Sequence, residues 1–304
     1  MKARRMVDLL SMLQSKRVRP RTVVVAGGQD SAALAALVRG QREGIVGGVV
    51  LVGAAVPLRQ AAGRAGLNAG SCRIIAAPDS VTACREAVRC CAAGEADVLM
   101  KGQVKTGDLM SALLDPGLGL RSGRLSHIAV FEVPVLKRLI LITDAAVNIS
   151  LAPADRREIV RNAAVIAGRL GIAVPKIALV APIEQVSPKI ASTVEAAQLA
   201  DWFREHPLPA GLVQGPLGLD NAVSVAAARC KKVSGSVAGR ADVLVFPNLE
   251  SANACYKALS FMAGLTPAGM IAGARVPVAL GSRSDSGEAR FCSLVLALLA
   301  SDPC

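Results

Sequence analysis

Short apolar runs, each followed by a helical pattern, recur along the chain and constrain its fold more than any other feature. Residues 23–26 precede a helix over Ala32–Val38 with Asp30-Ser31 as its cap, and residues 98–100 precede a helix over Thr106–Leu114. Continuous Val, Leu and Ile runs are typical of parallel strands buried on both faces. Because these strands alternate with helices, the sequence predicts an α/β fold with crossover connections. An aromatic content of 2% agrees with a core made of aliphatic side chains.

The same patterns predict the remaining elements. Residues 127–131 and 139–142 flank a short turn and predict an antiparallel hairpin. Gly94–Gly102 and the segment 239–248 both place Ala-Asp before an apolar strand, which indicates either two similar halves or a chance likeness of strand entries. Further strands are predicted at 49–52, 177–180, 212–214, 243–246 and 278–280, and further helices at 81–93, 155–170, 193–204, 250–263 and 286–301. A chain of 304 residues is expected to form one large domain or two medium ones.

Charge and composition narrow the function classes. The net charge is +12, but the basic residues are spread along the chain and aromatic residues for base stacking are nearly absent, which argues against nucleic-acid binding. The charge fits small phosphate-bearing molecules, or serves solubility alone. Two His and eight Cys without a CxxC pair exclude a histidine-rich metal site and are typical of a reducing cytoplasm. The longest apolar runs, 49–56 and 294–300, are too short for a membrane span.

Two segments in the first half of the chain carry candidate anion-binding residues. Lys101 follows a predicted strand and Thr106 opens a helix, so Lys101, Lys105 and the Thr106 hydroxyl are placed to hold phosphate at a strand end. The alternative is a solvated turn with incidental lysines. Residues 119–127 form a Gly- and Ser-rich loop with Arg121, which is either a phosphate clamp or part of an ordinary surface loop.

Two later segments add polar residues at strand ends. Asp144 and Asn148 follow a buried strand in an apolar stretch, so their side chains bond either to the protein or to a ligand. The segment 280–290 opens the last helix and contains Arg283, a cation that is unfavourable beside a helix N-terminus unless an anion is near. Asp285 or Ser284 is expected to cap this helix.

Together these segments resemble the phosphate acetyl/butyryltransferase family, and phosphate butyryltransferase most of all. The matching residues occur in order over most of the chain beyond residue 90, whereas the first 90 residues match only weakly. They are ADVLMKG (96–102), GLRSG (119–123), LSHIAVFEVP (125–134), LILITDAAVNI (139–149), GPLGLDNAVS (215–224), SGSVAGRADVLVFPNLESAN (234–253) and GARVPVALGSRSDS (273–286).

The resemblance implies a fold of two α/β domains similar to isocitrate/isopropylmalate dehydrogenase, with the active site in a cleft between them. The expected domains are residues 1–147 plus 281–304, and residues 148–280. The resemblance further implies a homodimer that uses coenzyme A and phosphate as co-substrates, with no metal, prosthetic group or other cofactor. From the composition and the apolar runs described above, we expect a cytoplasmic protein with neither nucleic acid nor membrane as a partner.

The resemblance also assigns roles to residues. Ser282 and Arg283 match the family's Ser-Arg pair and are expected to be the transition-state donor and the phosphate or carbonyl clamp. The acidic residue of the acetyl enzymes falls on Ala289 here, so Asp285 is the expected base and Glu288 the second choice. The SRxDS form indicates the butyryl subtype. Lys101, Thr106, Arg121, Asp144, Asn148 and Glu288 are the expected substrate-binding residues.

The implied reaction is the reversible conversion of a short-chain acyl-CoA, butyryl or acetyl, and phosphate to acyl phosphate and CoA. Two alternatives remain from the sequence. One is a non-catalytic module that binds acyl-CoA, which the altered acidic position allows. The other is a metal-dependent dehydrogenase on the same fold, which requires a cluster of carboxylates that the sequence does not clearly supply.

Overall fold

The computed structural model of the protein describes residues 2–16, 19–67, 69–282 and 285–301. The helices in this part of the chain are α1 (Met6–Ser15), α2 (Ser31–Arg42), α3 (Ala55–Ala65), α4 (Ser80–Ala92), α5 (Thr106–Leu114), α6 (Pro153–Arg169), α7 (Ala191–Glu205), α8 (Leu219–Val223), α9 (Val225–Cys230), α10 (Leu249–Lys257) and α11 (Gly287–Ala300). The strands are β1 (Arg21–Ala26), β2 (Val46–Gly53), β3 (Cys72–Ala76), β4 (Val98–Lys101), β5 (Arg121–Val133), β6 (Arg138–Thr143), β7 (Lys176–Val180), β8 (Leu212–Leu217), β9 (Val243–Val245), β10 (Pro267–Ala274) and β11 (Val278–Ala279).

The chain forms two compact units. The first unit comprises Val7–Gly123 and Thr266–Cys304, and the second comprises Met1–Met6 and Arg124–Leu265. The chain therefore leaves the first unit near the start of β5 and returns to it just before β10. The sequence-based domain limits at residues 147 and 281 stay a prediction.

The first unit is built on strands in the order β3-β2-β1-β4-β11-β10. The pairs from β3 to β11 are parallel, and β10 pairs with β11 antiparallel. Residues 23–26 of β1 are completely buried, as expected for a central strand covered by helices on both faces. Helix α11 is buried from Ala289 to Leu299, so its apolar sequence is explained by a position inside the unit.

The second unit combines an antiparallel hairpin with parallel strands. β5 pairs antiparallel with β6, with Ala129 opposite Ile142, and the order continues β6-β9-β7-β8 through parallel pairs. The core gathers Phe131, Ile142, Leu244 and Tyr256. The Phe131 and Tyr256 rings meet edge to face with centroids 5.4 Å apart, a favourable arrangement for aromatic pairs.

These elements confirm the α/β fold and most of the predicted strands and helices, including the hairpin. The predicted helix 250–263 corresponds to α10, Leu249–Lys257, and the π-helical segment Ala258–Met262 that continues it. The predicted cap of α11, Asp285 or Ser284, was wrong. Ser286 caps this helix, and its Oγ accepts the Ala289 N–H at 3.2 Å. No helix in the described part of the chain combines the length and the apolar character that crossing a bilayer requires.

Candidate active site

The strand ends of the first unit bring three helix N-termini to one edge of its sheet. Ala26 of β1 lies beside Lys101 of β4, and Met100 lies beside Ala279 of β11. Helices α2, α5 and α11 begin a few residues beyond these strands. Because helix N-termini carry free N–H groups and a partial positive charge, this edge is suited to anions.

Glycines allow the loops after β1 and β4 to pack main chain against main chain. The Gly102 N–H donates to the Ala26 carbonyl at 2.9 Å, and the Gln103 N–H donates to the Gly27 carbonyl at 2.8 Å. A Cβ on Gly102 would lie 2.2 Å from the Gly27 carbonyl oxygen. Gly27 has a φ of 73°, in the left-handed region that favours glycine. The absence of a side chain at Gly27 and Gly102 thus permits the close approach of the two loops.

A pocket of about 620 Å³ opens at this edge of the first unit, and we call it the strand-end pocket. Two positive side chains, Lys105 and Arg290, and one carboxylate, Asp30, are among the residues that line it. The first residues of α2 and α4 and the cap of α5 also line the pocket, and helix N-termini carry free main-chain N–H groups. The lining residues are Gln29, Asp30, Ser31, Ala32, Ser80, Gly102, Gln103, Val104, Lys105 and Arg290. Its volume and charge suit a phosphate-bearing molecule of moderate size.

Sequence reasoning missed Arg290. Its side chain is 2% exposed, and its Nη2 lies 3.3 Å from Asp30 Oδ2. The signal was present in the sequence, because Arg290 is a charged residue that directly precedes the buried run 291–299 of α11. A charged residue inside an apolar helix requires a partner, and that partner is 260 positions away in the chain.

Residues 280–286, which we call the Ser282 segment, connect β11 to α11 in the same unit. The Ser282 N–H donates to Asp285 Oδ2 at 2.6 Å, and the Asp285 N–H donates to the Ser282 carbonyl at 3.1 Å. Asp285 therefore holds Ser282 through two hydrogen bonds, and we call this bonded pair of residues the Ser282 turn. Arg283 and Ser284 lie outside the described residues. The roles predicted for Ser282, Arg283 and Asp285 stay predictions.

Lys101, Thr106 and Arg121 also lie in the first unit, but in different surroundings. Lys101 is 2% exposed, and its Nζ lies 3.4 Å from the Gly102 carbonyl oxygen. Thr106 is the exposed first residue of α5. Arg121 is exposed, and its Nε donates to the Gly123 carbonyl at 2.9 Å. Lys105, whose N–H lies 3.4 Å from Ser80 Oγ, lines the strand-end pocket. Their substrate-binding roles stay predictions.

Glu288 lies in the first turn of α11 and forms an ion pair. Its Oε2 lies 2.5 Å from Arg39 Nη1, and its side chain is 55% exposed. Its Oε1 is 3.8 Å from the Cys292 sulfur. Arg39 also stacks on the Phe291 ring at 3.7 Å, so Glu288 belongs to a contact between α2 and α11. Its predicted substrate-binding role is not tested by this contact.

Asp144 and Asn148 lie in the second unit and bond to the protein. Asp144 Oδ1 accepts the N–H groups of Ala146 and Val147 at 3.0 and 2.9 Å. Asn148 Nδ2 donates to Asp144 Oδ2 at 2.5 Å, and Asn148 Oδ1 accepts from Arg124 Nε at 2.8 Å. A neighbouring cavity of about 20 Å³ is large enough for a water molecule only. Their predicted contact with substrate remains a prediction.

His127 is a buried titratable group of the second unit. Its side chain is 4% exposed, and its ring meets Tyr256 edge to face at 5.9 Å. Among the described residues, Nδ1 has no hydrogen-bond partner. Burial lowers the pKa of His127 below its ordinary value, and the nearby Asp144 carboxylate offsets part of this effect.

Because of this lowered pKa, we expect His127→Gln to flatten the dependence of stability on pH below about 6.5. The unfolded chain protonates His127 there while the folded chain does not, so the wild-type free energy of unfolding decreases as the pH is lowered, by at most about 1.4 kcal/mol per pH unit for one proton. Urea unfolding between pH 5.5 and 8 measures this slope. At pH 8 the imidazole is neutral in both states, so the difference in the free energy of unfolding between the two proteins at that pH reports packing alone. Equal slopes in the two proteins would contradict the prediction.

Comparison with known proteins decides the family. The phosphate acetyl/butaryl transferase family model matches residues 80–298. The chain belongs to this family. It is 39% identical to the phosphate butyryltransferase of Clostridium beijerinckii over 293 residues, which make up 96% of each chain. It is 36% identical to the phosphate acetyltransferase of Rhizobium meliloti over 281 residues, or 92% of this chain and 89% of the relative.

A solved structure of the same class agrees with this family. The branched-chain phosphotransacylase from Enterococcus faecalis V583 superposes with a TM-score of 0.81 at 33% identity, covering 93% of this chain and 100% of that one. As a member of the phosphate acetyl/butaryl transferase family, the protein is an acyltransferase. The resemblance seen in the sequence is confirmed, and neither the binding-module nor the dehydrogenase alternative is favoured. In the described ranges, no three His, Cys, Asp or Glu side chains are grouped to hold a metal ion.

Proposed function

We propose that the protein catalyses the reversible transfer of a short acyl group between coenzyme A and inorganic phosphate. A phosphate oxygen attacks the thioester carbonyl carbon, the carbon–sulfur bond breaks, and acyl phosphate and CoA thiolate leave. In reverse, the thiolate attacks the acyl phosphate. A base takes the thiol proton in the reverse direction and returns it in the forward one.

The strand-end pocket is the observation that carries this proposal. It joins the N-terminal residues of α2 and α4 with Lys105, and the buried Arg290, which is paired with Asp30, forms part of its wall. Phosphate and the phosphate groups of coenzyme A are both anions that such a pocket attracts. Lys101 ends the strand that leads into the pocket, and Thr106 follows Lys105 at the start of α5. Lys101 and Thr106 are therefore suited to assist in binding phosphate, and Arg121 is proposed as a second clamp.

Within the proposed mechanism, the Ser282 segment acts on the thioester carbonyl. Ser282 donates a hydrogen bond to the oxyanion that forms as phosphate attacks, and Arg283 holds the same oxygen or the phosphate. Each such donor is worth roughly 3–4 kcal/mol in other acyl transfers. Asp285, three residues beyond Ser282 and hydrogen-bonded to its N–H, is the proposed base. Glu288 is second, because its carboxylate already pairs with Arg39.

The finer assignments belong to the same proposal. We assign an arrangement similar to isocitrate/isopropylmalate dehydrogenase, which the parallel strands of both units support. We further propose a cytoplasmic homodimer with no cofactor beyond the co-substrates coenzyme A and phosphate, and without nucleic-acid or membrane partners. The relatives above are named for acetyl, butyryl and branched-chain substrates at similar identities. The acyl chain is therefore proposed only as short.

CoA release from acetyl-, propionyl-, butyryl- and isobutyryl-CoA, followed with a thiol reagent, tests the proposal. We expect release to require phosphate and to show saturation with it, and the rank of kcat/KM to identify the acyl chain. An enzyme-only blank is essential, because Cys230 is exposed and will react, whereas burial raises the pKa of Cys84 to about 12. Release that proceeds equally without phosphate, or no release from any of the four thioesters, would refute the proposal.

A further inference from the structure

Arg290 joins three separate parts of the first unit through one guanidinium group. Nη1 donates to the Lys101 carbonyl at 3.1 Å and lies 3.5 Å from the Gly281 carbonyl oxygen. Nη2 lies 3.3 Å from Asp30 Oδ2, and Asp30 Oδ1 caps α2 by accepting the Ala33 N–H at 2.9 Å. The end of β4, the segment after β11 and the start of α2 are thus connected at one point.

The stability of the unit does not explain a cation at this position. Arg290 is 2% exposed and is the fourth residue of α11, close to the positive helix end that disfavours a cation. Its Nε has no hydrogen-bond partner in the part of the chain that the structure describes. Apolar side chains usually replace buried ion pairs with little or no loss of stability. The positive charge of Arg290 is therefore better explained by the positions of the groups that it contacts than by the stability of the unit.

Gly281 shows how closely the chain packs on this guanidinium. A Cβ at Gly281 would lie 2.8 Å from Arg290 Nη1 and 2.9 Å from Arg290 Cδ. Gly281 directly precedes Ser282, so the main chain that enters the Ser282 turn rests on Arg290. The same Nη1 also contacts the carbonyl of Lys101, the last residue of β4.

We propose that Arg290 is a positioning residue that fixes the Ser282 turn relative to the end of β4. The proposal rests on the function proposed above. Arg290 acts through the carbonyls of Gly281 and Lys101, without contacting the reacting atoms. A planar guanidinium can bond to two carbonyls and a carboxylate at once, whereas the ammonium of lysine is a point charge without this fork. The arrangement therefore requires arginine and not merely a positive charge.

The test compares Arg290→Lys with Arg21→Lys. Arg21 is a matched control, because it is also a buried arginine of the first unit, 9% exposed, and pairs with Asp97 at the opposite end of β1. We expect Arg290→Lys to lower kcat about ten- to a hundredfold, the effect of a shift of about 1 Å in a catalytic group. KM for acyl-CoA should change less than about twofold, and Arg21→Lys should keep the wild-type kcat.

A second variant guards against a failure of Arg290→Lys to fold. Gly281→Ala keeps the arginine but forces its guanidinium away from the Ser282 turn, and we expect the same selective loss of kcat. Amide hydrogen exchange of the peptide covering residues 279–290 supplies a readout that does not depend on activity. We expect exchange there to accelerate at least about tenfold in both variants, and to remain unchanged in Arg21→Lys.

The outcomes separate the two proposals. A wild-type protein that shows no phosphate-dependent CoA release refutes the proposed function, and the exchange data then still decide whether Arg290 orders the turn. An active wild type with normal kcat in Arg290→Lys overturns the positioning role. The same conclusion follows if the variants lose thermal stability while kcat per folded molecule and the exchange of residues 279–290 stay unchanged, because the role is then only structural.

Discussion

Replacing Gly102 by alanine is expected to lower the free energy of unfolding by about 3 kcal/mol, at the upper end of overpacking effects. The added Cβ would lie 2.2 Å from the Gly27 carbonyl oxygen and 3.0 Å from the Ala26 carbonyl oxygen. Both atoms belong to the main chain, so neither can rotate away as a side chain would. The loops after β1 and β4 would have to separate, and the hydrogen bonds from Gly102 and Gln103 would lengthen. Urea unfolding of the two proteins measures the difference.

Gly107→Ala is the matched control, because it makes the same change five positions away. Gly107 lies in the first turn of α5, and apart from its chain neighbours and the backbone of its own helix, no atom of the described residues lies within 4 Å of a Cβ there. Alanine is the better helix former, so we expect a gain of up to about 1 kcal/mol. If Gly102→Ala were no less stable than Gly107→Ala, the close approach of the two loops would not restrict the fold.

Local patterns explain how much of the fold could be predicted from the sequence. Helix Thr106–Leu114 was predicted with its observed limits, because an apolar periodicity ends at Asp115 and a proline follows. The hairpin of β5 and β6 was predicted from two apolar runs around a short turn. β10 was not predicted, since its sequence PAGMIAGA lacks a run of β-branched residues although most of the strand is buried. Its strand conformation depends on its neighbours in the fold.

The candidate site was only partly predictable for the same reason. Lys101 and the Ser282 segment were found because each follows an apolar strand, and strand ends collect ligands in α/β folds. The contact of Arg290 with Asp30 spans 260 positions and leaves no local pattern. The approach of Gly27 to Gly102 likewise depends on the pairing of β1 with β4. The turn held by Asp285 depends on a carboxylate whose direction the sequence does not specify.

The largest effect on activity is expected from Ser282→Ala, which should lower kcat about 10²- to 10³-fold. The proposed role of the Ser282 hydroxyl is to donate to the oxyanion that develops as phosphate attacks, so its loss affects the transition state more than the bound substrates. KM for acyl-CoA and for phosphate should therefore change little. The Ser282 N–H donates to the Asp285 carboxylate and the Ser282 carbonyl accepts from the Asp285 N–H, so neither bond uses the hydroxyl and the turn should be retained. Steady-state kinetics with saturating phosphate measure the effect.

Ser286→Ala is the control from the same segment, and we expect it to affect stability rather than activity. The Ser286 hydroxyl caps α11 through the Ala289 N–H at 3.2 Å, and loss of such a cap costs about 1 kcal/mol. We expect this variant to be less stable but to keep kcat within about twofold, whereas Ser282→Ala keeps its stability and loses kcat. Two serines four positions apart would then have different roles, Ser282 in catalysis and Ser286 in helix stability. A kcat in Ser282→Ala close to that of Ser286→Ala would remove the Ser282 hydroxyl from the mechanism and leave stabilisation of the oxyanion to Arg283 or to main-chain N–H groups.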